Sequence, residues 1–263
     1  MKLEKELQIA IEAAILAGEE IMRVYDKDFS VCYKKDESPV TEADVAANHC
    51  IVTMLSEHFP EDGFLSEEVV DDQSRFKKSR YWNIDPLDGT KEFVKKNGDF
   101  SVNIALVVGK KVELGVVYLP VDRKIYYAVS GEGAFVRDLD LLQVRAIKVS
   151  TQLKPYRVLV SRSHPSKRTT HMLNNNAKDI ENVTEMGSAK KGCLIAEGLF
   201  EVYYNFGLSM KWDTCAMECI VVEAGGTIMR LDDNPIDYSE RNTLNHGFYI
   251  VNRLENKINI LEL

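Results

Sequence analysis

The chain has 263 residues, 45% of them hydrophobic and 28% charged, an ordinary composition for one large or two small soluble domains. With 33 basic and 41 acidic residues the net charge is −8, which argues against a non-specific nucleic-acid binder, and 15 Gly with 7 Pro exclude a collagen-like chain. No apolar run approaches the roughly 18 residues of a membrane span. Glu4, Glu6 and Glu12 also interrupt any secretory core, so a cytoplasmic protein without a membrane span is expected, with peripheral membrane association left open.

The first element predicted is a helix, with Leu3, Leu7, Ala10, Ile11, Ala14, Gly18, Ile21, Met22 and Tyr25 on one stripe. A second helix is expected in SPVTEADVAANHCIVTMLSEHF, with Ser38-Pro39 extended, Thr41 as N-cap and Asp44 in the first turn. Strand character follows in YWNI, in FSVNIALVV and VELGVVYL around Gly109-Lys110-Lys111, and in KIYYAV and GAFVR around Ser130 to Gly133. Beyond these come a strand YRVLVSR, a helix SAKKGCLIAEG, a strand LFEVYY and a helix DTCAMECIVVEA stopped by Gly225-Gly226. TIMRL and GFYIVN read as strands, and a short helix closes the chain. Helices mix with consecutive hairpins, so the class is α/β in the mixed, α+β sense. The five cysteines (Cys32, Cys50, Cys193, Cys215, Cys219) show no C-x-x-C or zinc spacing and read as reduced thiols, mostly buried.

The chemical signal is acidic. Asp85-Pro86-Leu87-Asp88-Gly89-Thr90 follows YWNI directly, so two carboxylates can converge from one tight turn at a strand end. Such a pair repels unless a cation or proton lies between its members. With no His or Cys nearby, the donors are all oxygen, which favours Mg²⁺ over zinc. D-P-x-D-G is also good turn chemistry in its own right. Glu67 and Glu68 can equally be a solvated loop end, and Asp44, Thr90 and Asp213 plain helix caps. The free N–H groups of Gly89 and Thr90 suit a phosphate, and no Walker loop is present. The residues alone lead as far as an oxygen-ligand metal site for a phosphate.

WNIDPLDGTKEF resembles the signature of the lithium-sensitive, Mg²⁺-dependent phosphatases, the superfamily of the inositol monophosphatases. KWDTCAMECIVVEAGG, SPVTEAD and FLSEE resemble its other motifs, in the family's order across residues 38–226. Gly89-Thr90-Lys91-Glu92-Phe93 is similar to the 3'(2'),5'-bisphosphate nucleotidase branch, as are Ser161-Arg162-Ser163-His164, Ser188 to Lys191, and Pro235 to Tyr238 before Leu244-Asn245. Met217 and Ala189 depart from residues common in the family.

The resemblance implies a layered α-β-α-β-α sandwich forming one unit, 1–263, with halves 1–145 and 146–263. It implies Mg²⁺-dependent hydrolysis of adenosine 3',5'-bisphosphate to AMP and phosphate by direct attack of water. Two Mg²⁺ are implied, with a third more weakly held near Glu67. Glu67, Asp85 and the Leu87 carbonyl would hold the first; Asp85, Asp88 and Asp213 the second. Asp44 and Thr90 would activate the water, with Glu67 also in the catalytic set. The small-molecule substrate would meet Asp88, Gly89, Thr90, Asp213, Ser161, Arg162, His164, Ser188 and Lys191. An inositol or other sugar monophosphate phosphatase and a nucleotide-sensing binding module are the alternatives. Monomer and homodimer both stay open.

Overall fold

A computed structural model describes residues 2–27, 29–33 and 39–260. Ser38, and with it part of the expected extended approach to the second helix, lies outside the described residues; Pro39–Val40 is a short extended piece.

The helices are α1 (Glu4–Tyr25), α2 (Glu42–His58), α3 (Thr90–Val94), α4 (Lys167–Asn175), α5 (Lys190–Ala196) and α6 (Lys211–Glu223). A seven-stranded sheet runs in chain order from Gly63–Ser66 through Arg80–Asp88, Ser101–Val108, Lys111–Leu119, Lys124–Val129 and Ala134–Asp138 to Gln143–Ile147. Its first pair is parallel and the rest antiparallel. A five-stranded mixed sheet places Ile180–Met186, Tyr156–Ser161, Val202–Asn205, Phe248–Val251 and Thr227–Arg230 side by side.

The period of two in the strands sorts side chains between separate cores. On Ser101–Val108, Val102, Ile104 and Leu106 face α1 and α2, while Ala105 and Val107 face α6. On Tyr156–Ser161, Leu159 joins the α5–α6 core, and Val158 and Val160 pack on the opposite face with Met172 of α4. The layers are therefore α1 with α2, the large sheet, α5 with α6, the small sheet, and α4: the expected α-β-α-β-α order.

Several expectations shift in detail. The α6 helix starts at Lys211, so Asp213 lies in its first turn and not at the N-cap. The α5 helix starts at Lys190, two residues later than expected. The strand read as LFEVYY is Val202–Asn205, because Gly198 takes a left-handed turn after α5. The closing helix is a single 3-10 turn, Leu254–Asn256. Gly63–Ser66, Gln143–Ile147, Ile180–Met186 and α4 are additional to the elements the sequence predicts. Of the cysteines, Cys193, Cys215 and Cys219 are buried, Cys50 is intermediate and Cys32 is exposed, all as free thiols.

Candidate active site

The strand Arg80–Asp88 carries the first carboxylates. Residues three apart on a regular strand face opposite ways. Here the ladder shifts: Asp85 pairs with Asn103, but Asp88 pairs with Ser101, so one extra residue is inserted across the pair. Pro86 has no N–H to give to the ladder, and the bulge brings Asp85 and Asp88 into one cavity. Leu87 N donates to Asp85 Oδ1 at 3.1 Å. One oxygen of Asp88, Oδ2, accepts from Ala189 N at 2.6 Å, Asn103 Nδ2 at 3.1 Å and Ser101 Oγ at 3.3 Å.

Glu67 follows Gly63–Ser66, whose parallel pairing to Arg80–Asp88 is extended by Glu67 N donating to Ile84 O at 3.2 Å. Asp213 comes from the start of α6, where its Oδ2 accepts from Met210 N at 2.8 Å. Glu67, Asp85, Asp88 and Asp213 thus line a cavity of about 720 Å³, with Leu87, Gly89 and Thr90. Gly89 has φ +91°, in the region that favours glycine, and turns the strand end directly into α3.

Asp44 stands behind that wall. In α2 it completes a reciprocal cap: its Oδ2 accepts from Thr41 N and Thr41 Oγ1, both at 2.7 Å, while Thr41 Oγ1 accepts from Ala43 N. Its other oxygen, Oδ1, faces Thr90 Oγ1 at 3.2 Å, and the same hydroxyl lies 3.3 Å from Leu87 O. The N-cap role expected of Thr41 and the contact between Asp44 and Thr90 therefore belong to one network.

Ser161, His164, Ser188 and Lys191 line the cavity, and Arg162 does not. Arg162 Nη2 and Nε instead donate to Asp99 Oδ2 at 2.9 and 3.1 Å, and Nη2 also to Glu185 O at 2.9 Å. Lys191 is buried and donates to Ser188 O at 2.8 Å. Lys91 Nζ lies 2.9 Å from His164 Nε2, joining α3 to the loop after Tyr156–Ser161. Sequence reasoning missed Lys91, Glu92, Tyr203, Trp212 and Phe248 as cavity residues. The aromatic and apolar character of KWD and GFY signals burial without saying which cavity a ring borders.

The charges conflict. Burial, then Glu67, Asp88 and Asp213, holds the Asp85 carboxyl well above the usual range. Burial, then Asp88, does the same to Asp213. Asp88 is raised by burial against the opposing pull of Lys191, and Lys191 itself is lowered by burial. Burial also raises Asp44, and partial burial with the nearby Lys91 charge lowers His164. Among the described residues no three His, Cys, Asp or Glu side chains close into a finished metal cage. The donor set nevertheless fits a hard divalent cation: four carboxylates on one cavity, mutually unfavourable when ionised, with no sulfur or imidazole among them.

A further, half-buried acid lies outside this set. Burial pushes Glu218 up to about 7, with Tyr238 OH donating to its Oε2 at 2.7 Å. The folded protein holds that proton more tightly than the unfolded chain. Stability is therefore lost as pH rises from the ordinary glutamate range to about 7, by roughly 3 kcal/mol, and changes little above that. Glu218→Gln keeps an oxygen for Tyr238 and cannot ionise. Melting curves should show the variant more stable than the parent at pH 8 and nearly equal to it at pH 4.

No helix among the described residues is long and apolar enough to cross a membrane. The model of the inositol monophosphatase family matches residues 2–258. The chain is 40% identical over 251 residues to the 3'(2'),5'-bisphosphate nucleotidase CysQ of Salmonella typhimurium, covering 93% of this chain and 98% of the relative. CysQ of Escherichia coli K12 is 40% identical over 241 residues, covering 89% and 94%. The crystal structure of CysQ from Bacteroides thetaiotaomicron superposes with a TM-score of 0.82 at 34% identity, covering 95% of this chain and 98% of that one. On this match, which runs nearly from end to end, the chain belongs to the inositol monophosphatase family.

Proposed function

We propose that the protein is a cytoplasmic, Mg²⁺-dependent 3'(2'),5'-bisphosphate nucleotidase that hydrolyses adenosine 3',5'-bisphosphate to AMP and phosphate. Enzymes of its family are metal-dependent phosphatases. The observation that carries the reading is the convergence of Glu67, Asp85, Asp88 and Asp213 on one cavity, with Thr90 bonded to Asp44 at its edge. The CysQ relatives, at 40% identity, support the nucleotide as substrate.

Glu67, Asp85 and the Leu87 carbonyl would hold one Mg²⁺, and Asp85, Asp88 and Asp213 a second, with a third weaker ion near Glu67. Bound Mg²⁺ neutralises these carboxylates and stabilises charge on the attacking and leaving oxygens. The Thr90 hydroxyl orients the attacking water and passes a proton toward ionised Asp44. Backbone N–H groups of Gly89 and Thr90 hold the departing phosphate. Ser161, His164, Ser188 and Lys191 contact the rest of the nucleotide, and Lys191 offers a buried cation to an anionic group. Arg162, tied to Asp99, serves the wall of the cleft and not the ligand. The halves 1–145 and 146–263 act as one unit, with the cavity drawing residues from both.

The test is phosphate release from adenosine 3',5'-bisphosphate, inositol 1-phosphate and fructose 1,6-bisphosphate at equal concentration with Mg²⁺. A strong preference for the nucleotide is expected. Preference for a sugar phosphate would keep the metal chemistry and overturn the substrate.

A further inference from the structure

Asp99 lies between α3 and Ser101–Val108, outside the carboxylate cluster, and is 6% exposed. Its side chain collects donors from three places in the other half of the chain. Arg162, just past Tyr156–Ser161, gives two bonds to Oδ2, and Gly187 N gives a third at 3.3 Å. Lys190 of α5 reaches Oδ1 at 3.4 Å while also pairing with Asp122 at 2.7 Å.

The main chain of Asp99 is as closely engaged. A Cβ on Gly89 would lie 3.1 Å from Asp99 O. A Cβ on Gly187 would lie 2.5 Å from the same oxygen and 2.5 Å from Glu92 Cγ, so only glycine fits there. One peptide oxygen thus abuts both glycine turns of the cleft. Beyond Gly187, Ser188 is held at φ +48°, a conformation a non-glycine residue keeps only when its surroundings impose it. Ala189 N then meets Asp88, and Lys191 turns into the cavity wall.

We propose that Asp99 is a positioning residue for substrate binding: it pins Gly187–Lys191 against the Asp88 turn, so that Ser188 and Lys191 face the substrate in a fixed arrangement. Arg162 and Lys190 are the charged arms of the same clamp. Removing the carboxylate leaves the buried Gly187 N–H without its acceptor and the Arg162 guanidinium with Glu185 O alone, at 2.9 Å, and frees the segment. The effect on substrate rests on the nucleotidase reading; the pinning itself does not.

Two readouts on Asp99→Ala, Asp99→Asn and the parent keep these apart. In hydrogen exchange, the amides of Gly187–Lys191 are expected to exchange faster in Asp99→Ala, with the large sheet unchanged. In steady-state kinetics on adenosine 3',5'-bisphosphate, KM is expected to rise by about tenfold or more in Asp99→Ala, with kcat falling less. Asp99→Asn, which keeps an acceptor oxygen without the charge, should fall in between. A merely structural role would lower the melting temperature and the active fraction and leave KM where it is. Unchanged exchange at Gly187–Lys191, or a KM within about twofold of the parent, overturns the proposal. A parent inert toward the nucleotide overturns the nucleotidase reading instead, and the exchange result still judges the pin. Should Asp99→Ala not fold, Arg162→Met removes two of the donors from an exposed position and is expected to move both readouts the same way by a smaller amount; no change there is equally fatal.

Discussion

Asp88→Asn is expected to lower nucleotide turnover by roughly two to three orders of magnitude at saturating Mg²⁺ while leaving the fold intact. One oxygen of Asp88 already serves three donors, Ala189 N, Asn103 Nδ2 and Ser101 Oγ. An asparagine would keep its carbonyl oxygen in that nest. Its amide N–H groups would then face the cavity, where the proposed cation needs an oxygen. Stability should not suffer, because burial already holds the Asp88 carboxyl above its usual range and the substitution removes a charge that raises Asp85 and Asp213. Steady-state kinetics over a Mg²⁺ series and a melting curve on the same sample check both halves. Near-parental turnover would remove Asp88 from the ligand set.

Asp44→Asn should cost about two to four orders of magnitude in kcat, the usual scale of a lost general base. The two Thr41 donors oblige the asparagine oxygen to stay where Oδ2 is. Its amide then points at Thr90 and donates, so the hydroxyl loses the acceptor for its proton. Thr90→Val should behave like Asp44→Asn, and Thr90→Ser should retain most activity. The pH dependence follows from burial, which raises Asp44 above the ordinary carboxylate range. The base form is lost as pH falls, so the acid limb of kcat/KM should lie at higher pH than a solvated aspartate would give. The Asp44→Asn protein should lack that limb. A full acid limb in the variant would assign it to another group.

The long elements were legible from periodicity because each is sorted by a core. The α1 stripe and the largely apolar runs of Ser101–Val108 and Lys111–Leu119, buried on both faces over most of their length, write burial directly into residue type. The α4 helix, KRTTHMLNN, buries only Met172, with Leu173 partly buried beside it, and its other residues are polar, so two adjacent apolar positions are too few to mark a helix. Ile180–Met186 is an edge strand with most side chains at least partly exposed, and Gln143–Ile147 buries only Ile147, so neither alternates. At the site, the turn chemistry around Asp85 and Asp88 could be read in advance, but not the bulge that aligns the two carboxylates. Convergence of Glu67 and Asp213 on that turn depends on strand pairing and on α6 packing across the large sheet, which one sequence does not reveal. Arg162 illustrates the limit. Its motif suggests a nucleotide contact, and its guanidinium pairs with Asp99, 63 residues away, outside the cavity lining. Ala189, a departure from the family's usual residue, loses nothing at Asp88, since its backbone N–H makes the contact.

The central claim is that the four carboxylates serve phosphate-ester hydrolysis through a divalent cation. The most direct measurement is phosphate release from adenosine 3',5'-bisphosphate by the purified protein across a Mg²⁺ titration, with a chelator control. Saturable dependence on Mg²⁺ and complete loss with chelator, restored by excess Mg²⁺, is the result predicted. Release that persists undiminished in chelator would contradict it, because the ionised cluster would then have to accept a phosphate dianion with no cation to balance it.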